Sequence, residues 1–245
     1  MRKIKLTIEY DGTSYHGWQI QKNANTVQET IEKVLSRLLG GKIGLVGCSR
    51  TDVGVHAYGQ VAHFLTESSI PGDKFSYAIN NLLPTDIVIK KSEEVTEDFH
   101  ARYSAKGKKY RYLICNEAHS SAIMRNRTYH VRPELNFEEM QRGANYFKGK
   151  HDFAAFQATG GQVRSTVREI YSIDVLKKED NLISIEVSGN GFLYNMVRII
   201  AGTLVYVGIG KIKADEIPYI IESQDRTRAG KTAPAEGLYL MEIYY

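Results

Sequence analysis

Apolar and polar residues alternate from the start of the chain. Ile4, Leu6, Ile8 and Tyr10 interleave with Lys5, Thr7 and Glu9, the period of a strand with one covered and one wet face, and the pattern ends at the Asp11-Gly12 turn. The period then changes to that of a helix. Thr26-Val27-Gln28-Glu29 reads as a capping box, and Val27, Ile31, Val34, Leu35 and Leu38 recur on one helical face until Gly40 and Gly41. Val61 to Phe64 predicts a strand. A shorter helix is expected from Asp73 to Leu83, stopped by Pro84, and Ile87 to Ile89 is again strand.

From Tyr110 the order begins anew. A strand runs to Cys115, and a helix follows that Asn136 caps, with Glu139 three residues on. Strands are expected over Tyr171 to Leu176 and Ile183 to Val187, then a helix from Leu193 to Val207 and a strand from Leu238 to Tyr244. Two α+β halves of similar plan, joined near residues 104 to 108, with helices on one face of antiparallel sheets, are the simplest architecture.

Composition changes this picture little. With 245 residues, 42% hydrophobic and 24% charged, the chain can bury one large core or two smaller ones without staples. A net charge of +4 favours a polyanionic partner without demanding one. Cys48 and Cys115 have no metal-ligand spacing, so a structural zinc site is not expected and a reducing, cytoplasmic setting is. Met1 to Lys5 leads straight into a strand without the apolar core of a signal peptide. The most apolar stretch, Phe192 to Val207, contains Asn195 and Arg198 and falls short of the roughly 20 residues that cross a bilayer, so it reads as a buried helix.

The candidate chemistry centres on Arg50-Thr51-Asp52-Val53-Gly54-Val55-His56-Ala57, which puts a carboxylate in a glycine-containing turn between two apolar stretches. By itself a Thr-Asp-x-Gly stretch is an ordinary turn. Phe99 to Tyr112 interleaves Arg102, Lys106, Lys108, Lys109 and Arg111 with aromatic rings, a composition that can grip phosphates and stack bases. Arg125 to Arg132, and the pair Arg164 and Arg168, add smaller basic groups. Arg198 lies inside an apolar run and needs a carboxylate partner, for which Glu186 and Asp174 are structural candidates. His56 and His63 near Asp52 lack a third ligand at metal-binding spacing.

Tyr10-Asp11-Gly12, the octet around Asp52, Lys108-Lys109-Tyr110-Arg111-Tyr112, Gly191 to Arg198, Arg228 to Pro234 and Gly237 to Leu240, in that order, resemble the tRNA pseudouridine synthase A family over nearly the whole chain. One departure is Ser49, where the family usually has glycine before the motif arginine. The resemblance implies two ferredoxin-like lobes, residues 1–105 with the aspartate loop and 106–245 with the tyrosine and arginine, whose sheets meet around a central cleft. It implies isomerisation of uridine to pseudouridine at tRNA positions 38, 39 and 40 in the anticodon stem-loop, by a homodimer and without cofactor or metal. It also implies roles: Asp52 as nucleophile, Arg198 as its ion-pair partner, Arg50 positioning the flipped nucleotide, and Tyr110 against the base. A non-catalytic structured-RNA-binding module would use the same basic and aromatic surface, and a metal-dependent hydrolase would use Asp52, His56 and His63.

Overall fold

The computed structural model describes residues 1–161 and 163–245. Along the chain it contains β1 (Arg2–Tyr10), α1 (Val27–Leu39), β2 (Val46–Gly47), β3 (His56–Thr66), α2 (Phe75–Asn80), β4 (Ile87–Val95), β5 (Gly107–Cys115), β6 (Tyr129–His130), α3 (Phe137–Asn145), β7 (Gly149–Asp152), β8 (Val167–Lys177), β9 (Leu182–Gly189), α4 (Met196–Gly208), α5 (Ile217–Ser223) and β10 (Leu238–Tyr244). The chain divides into two compact units, Met1–Lys106 with Tyr239–Tyr245, and Gly107–Leu238.

The first unit is a β-α-β-β-α-β arrangement whose strands lie in the order β4-β1-β3, with β2 on the outer edge of β3, as in ferredoxin-like folds. Ile4, Leu6, Ile8 and Tyr10 are buried on one face of β1, as the alternation requires. Thr26 caps α1 by accepting the Glu29 N–H at 3.3 Å, and Gly40 ends it in the left-handed region at φ 73°. The second helix is shorter than its apolar pattern. Asn80 turns its amide onto Ile89 of β4, donating to the carbonyl at 3.0 Å and accepting the N–H at 2.8 Å, and the chain leaves the helix there.

β10 corrects the sequence-based division. Expected with residues 106–245, it pairs in parallel with β3, Tyr239 opposite His56 and Leu240 opposite Ala57, and so completes the first unit. Gly59 permits the approach, since a Cβ there would meet the Met241 carbonyl.

In the second unit β5, β9, β8 and β7 form antiparallel neighbours in that order, and the two-residue β6 lies parallel to β5. Helix α3 packs on β8 and on α4. The latter is buried along nearly its whole length and starts at Met196 rather than Leu193, because Asn195 takes φ 59° and cannot continue a right-handed helix. No helix among the described residues is long and apolar enough to cross a membrane.

Candidate active site

Asp52 opens a tight turn. The Val55 N–H closes it onto the Asp52 carbonyl at 3.2 Å, and Gly54, at φ 77°, supplies the positive φ that the third position of such a turn requires. The turn is tied to the segment before α1: Trp18 donates its N–H to the Thr51 carbonyl at 3.1 Å and Gly54 donates to Tyr15 at 3.4 Å. Gly17 (φ 82°) passes so close that a Cβ there would lie 2.5 Å from the Thr51 carbonyl oxygen, and a Cβ at Gly12 would overlap the Val55 carbonyl. The Tyr10 hydroxyl at the end of β1 is 2.7 Å from Thr51 Oγ1. On the other side, the buried Gln60 side chain grips Ser49, donating to its carbonyl at 2.7 Å and accepting its N–H at 3.2 Å. At these points the loop is held through its backbone groups, the Thr51 hydroxyl and its neighbours' side chains. Asp52 itself is half-buried and Arg50 is exposed.

The two histidines have structural engagements. His56 Nδ1 takes the Gly12 N–H at 3.0 Å, and its ring stacks on Tyr239 with centroids 4.8 Å apart. His63 Nδ1 takes the Ala101 N–H at 3.2 Å, and burial, aided by His100 and Lys3, pulls its pKa from 6.5 down to about 4. No group of three metal-ligating side chains is present among the described residues.

In the second unit Tyr110 sits on β5 opposite Val187, half-buried, with its ring edge-to-face against Phe192 at 5.2 Å. Tyr112 is fully buried, its hydroxyl donating to the Pro234 carbonyl at 2.7 Å, while Arg111 turns to Glu186. Glu186 was a candidate partner for Arg198, but Lys109 (2.7 Å) and Arg111 (2.9 Å) hold it. Burial alone would raise the Glu186 pKa; the hydrogen bonds and charges of these two cations outweigh it and keep the carboxyl below its ordinary value.

Arg198 is a strut for the chain around it. Its Nε donates to the Ala233 carbonyl at 2.8 Å, its Nη1 to Asn195 Oδ1 at 2.8 Å, and its own carbonyl accepts the Ala233 N–H at 3.1 Å. Gly230 and Gly202 let the segment 228–234 lie directly on α4, since a Cβ at either would run into backbone. The Gly230 N–H also bonds Thr203 Oγ1 at 2.9 Å. Asn195, Ala233 and Tyr10 fell inside motifs that carry the family resemblance, but nothing in the sequence gave them these contacts; Trp18 and Gln60 had no signal at all.

Comparison with known proteins extends these observations. A sequence profile described as tRNA pseudouridine synthase matches residues 6–104 and 144–245. Proteins named tRNA pseudouridine synthase A from Ruminiclostridium cellulolyticum, Acetivibrio thermocellus and Thermoanaerobacter sp. are 79%, 64% and 53% identical, each over 100% of both chains. Among solved structures, a Cbf5-Nop10-Gar1 complex aligns with 96% of this chain and 57% of that one at 12% identity and a TM-score of 0.39, too loose a likeness to carry a conclusion. The family profile spans the aspartate loop and the arginine helix, the relatives match end to end through β5 as well, and the chain belongs to the tRNA pseudouridine synthase family.

Proposed function

We propose that this chain converts uridine to pseudouridine at positions 38, 39 and 40 of the tRNA anticodon stem-loop, with Asp52 as the reacting carboxylate. The coarser statement, an isomerase that forms pseudouridine in tRNA, follows from family membership. The observation that carries the role of Asp52 is its loop: a carboxylate presented on a turn that the Val55 N–H closes onto the Asp52 carbonyl and that the segment before α1 holds at Thr51 and Gly54. Such rigidity is what positioning a nucleophile against a nucleoside demands.

In the reaction the C1′–N1 bond breaks, uracil turns, and a C1′–C5 bond forms while the C5 proton leaves and N1 regains one. No atom or electron is gained or lost overall, so the chemistry calls for no redox cofactor, nucleotide or metal. Asp52 acts ionised, on C1′ of the sugar or C6 of the base. Arg198 is its proposed ion-pair partner, a reading supported by the commitment of Glu186 to Lys109 and Arg111. Tyr110 lies against the base and serves proton removal at C5, and Arg50 positions the extruded nucleotide. A homodimer working in the cytoplasm completes the reading.

The test is to incubate purified protein with unmodified tRNA transcripts, without added cofactor and with chelator, and to map pseudouridine. Modification should appear in the anticodon arm for the parent and be lost in Asp52→Asn and Asp52→Ala, with tRNA binding retained within a few fold. Full activity in either variant overturns the role of Asp52, and modification confined to another arm overturns the site choice.

A further inference from the structure

Tyr103 is 78% exposed, yet the loop that carries it is tied down by hydrogen bonds on both sides. It lies in the loop 96–106 of the first unit, which is pinned at several points. The Phe99 N–H bonds Thr96 (3.1 Å), the Ser104 N–H bonds His100 (2.9 Å), and the Lys106 N–H bonds Tyr244 (2.8 Å). Between them Ala101 is wholly buried, its N–H on His63 and its carbonyl accepting from the Tyr245 hydroxyl at 2.6 Å. Lys3 donates to the Phe99 carbonyl at 2.8 Å and to that of Glu97.

On this frame the His100 imidazole is oriented by two backbone amides, those of Arg102 (3.1 Å) and Tyr103 (3.2 Å), both donating to Nδ1. The Tyr103 ring rests on it, centroids 4.3 Å apart and planes tilted by 31°, and the Arg102 guanidinium carbon lies over the Tyr103 ring, 5.9 Å from its centre, on a long side chain that can swing from the ring to a phosphate. The nearby Asp98 carboxylate is turned to the Thr96 hydroxyl and to the backbone of residues 98 and 99, which hold its pKa down. A ring this exposed removes little apolar surface from water, so burial does not account for the imidazole support beneath it.

We propose that Tyr103 is a stacking platform for an unpaired base of the RNA, with Arg102 on the adjacent phosphate. The proposal rests on the reading that the substrate is tRNA. A ring has affinity for every base face, so such a platform grips a loop without reading its sequence, and a pre-formed support reduces the ordering cost of binding. The Arg102 guanidinium, moving off the ring as a base stacks there, supplies the charge that a phosphate neutralises.

The experiment uses the full chain in the Asp52→Asn background, where turnover does not intervene, and measures tRNA binding by filter retention across salt concentrations. Tyr103→Ala should weaken binding about tenfold and Tyr103→Phe by less than about twofold, as expected for loss and retention of one base stack. Arg102→Ala should lower the slope of log affinity against log salt by about 0.7 to 0.9, one phosphate contact. Parent-like affinity in Tyr103→Ala, or a loss that Tyr103→Phe shares, overturns the platform; an unchanged salt slope in Arg102→Ala overturns the phosphate contact. The two readings fail separately: pseudouridine formed by Asp52→Asn would remove the catalytic assignment and leave the binding comparison intact.

Discussion

Asp52 is carried on a loop that the backbone holds, whereas Arg198 helps to hold the backbone around it. The aspartate turn is fixed by the carbonyls of Thr51 and Asp52, the N–H of Gly54, and glycines that admit close approach. The arginine segment depends on the guanidinium itself, which bridges Asn195 at the start of α4 to Ala233 in the loop beyond α5. The difference teaches that equal proposed involvement in a reaction does not mean equal involvement in the fold. A carboxylate whose loop is also held by backbone groups can be exchanged at less structural cost than a guanidinium that serves as a strut.

The largest expected effect isolates the first half of this contrast. Asp52→Asn should lower the rate of pseudouridine formation by a factor on the order of 10⁴ or more, as removal of a nucleophile does. Because the turn's backbone contacts survive and only the charge pair proposed with Arg198 is lost, stability should fall by about 1 kcal/mol, about 2–4 °C in melting temperature. A steep fall in melting temperature would show that the side chain also carries the fold and would erase the contrast.

Arg198→Lys tests the other half. An ammonium keeps the charge but cannot reproduce the fork that reaches Ala233 and Asn195 together. Both the rate and the stability should fall, the latter by about 3 kcal/mol for two charge-assisted hydrogen bonds. Urea unfolding beside the tRNA assay separates the two losses, and unchanged unfolding would demote Arg198 from strut to pure reaction partner.

Gly17→Ala sharpens the comparison by attacking the aspartate turn from outside. The left-handed conformation costs about 1–2 kcal/mol for a residue with a Cβ. The new atom would in addition press on the Thr51 carbonyl, so a total near 2–3 kcal/mol is expected, with overpacking supplying the rest. The rate should drop with it, since relief requires the Thr51–Asp52 peptide to move.

A smaller effect depends on pH and arises from His63 on β3. In the folded chain its pKa is about 4, against an ordinary 6.5. Between these values the unfolded chain binds a proton that the folded chain refuses, so stability is fully present above pH 6.5 and is lost as pH falls towards 4. The slope is at most about 1.4 kcal/mol per pH unit within that window. Urea midpoints measured from pH 8 to 4.5 should show the decline in the parent and a flatter profile in His63→Asn. Equal profiles would assign the acid sensitivity to other groups.

How much was legible beforehand follows the same division between local and distant causes. The strands and helices with a clear period, β1 and α1 above all, were readable because each buries one face of its own pattern. Short pieces such as β2, β6 and β7 carry too few residues for any period to register. The length of α2 was set by Asn80 reaching β4, and the membership of β10 by parallel pairing with β3; neither partner is a sequence neighbour. The turn at Asp52 was legible through Gly54. The contacts of Tyr10, Trp18 and Gln60 with it were not, since hydrogen bonds that span from 11 to 41 residues follow no fixed spacing. Glu186 shows the converse: the sequence offered it to Arg198, and the register of β5 on β9 delivered it to Arg111.

The smallest effect concerns Ser49, the residue before Arg50. Gln60 satisfies both of its backbone groups, but its hydroxyl is buried and has no hydrogen-bond partner among the described residues. An unmet hydroxyl in that position destabilises the loop, whereas a methyl group would occupy nearly the same space without the desolvation cost. Ser49→Ala should therefore raise stability by about 1 kcal/mol, a melting-temperature gain of about 2–4 °C. A gain indistinguishable from zero would mean that a buried water already bonds the hydroxyl, so that the aspartate loop is held by solvent as well as by backbone. A loss would be the more damaging result for the comparison, because it would make a side chain of the loop a support in its own right, as Arg198 is for the segment across α4.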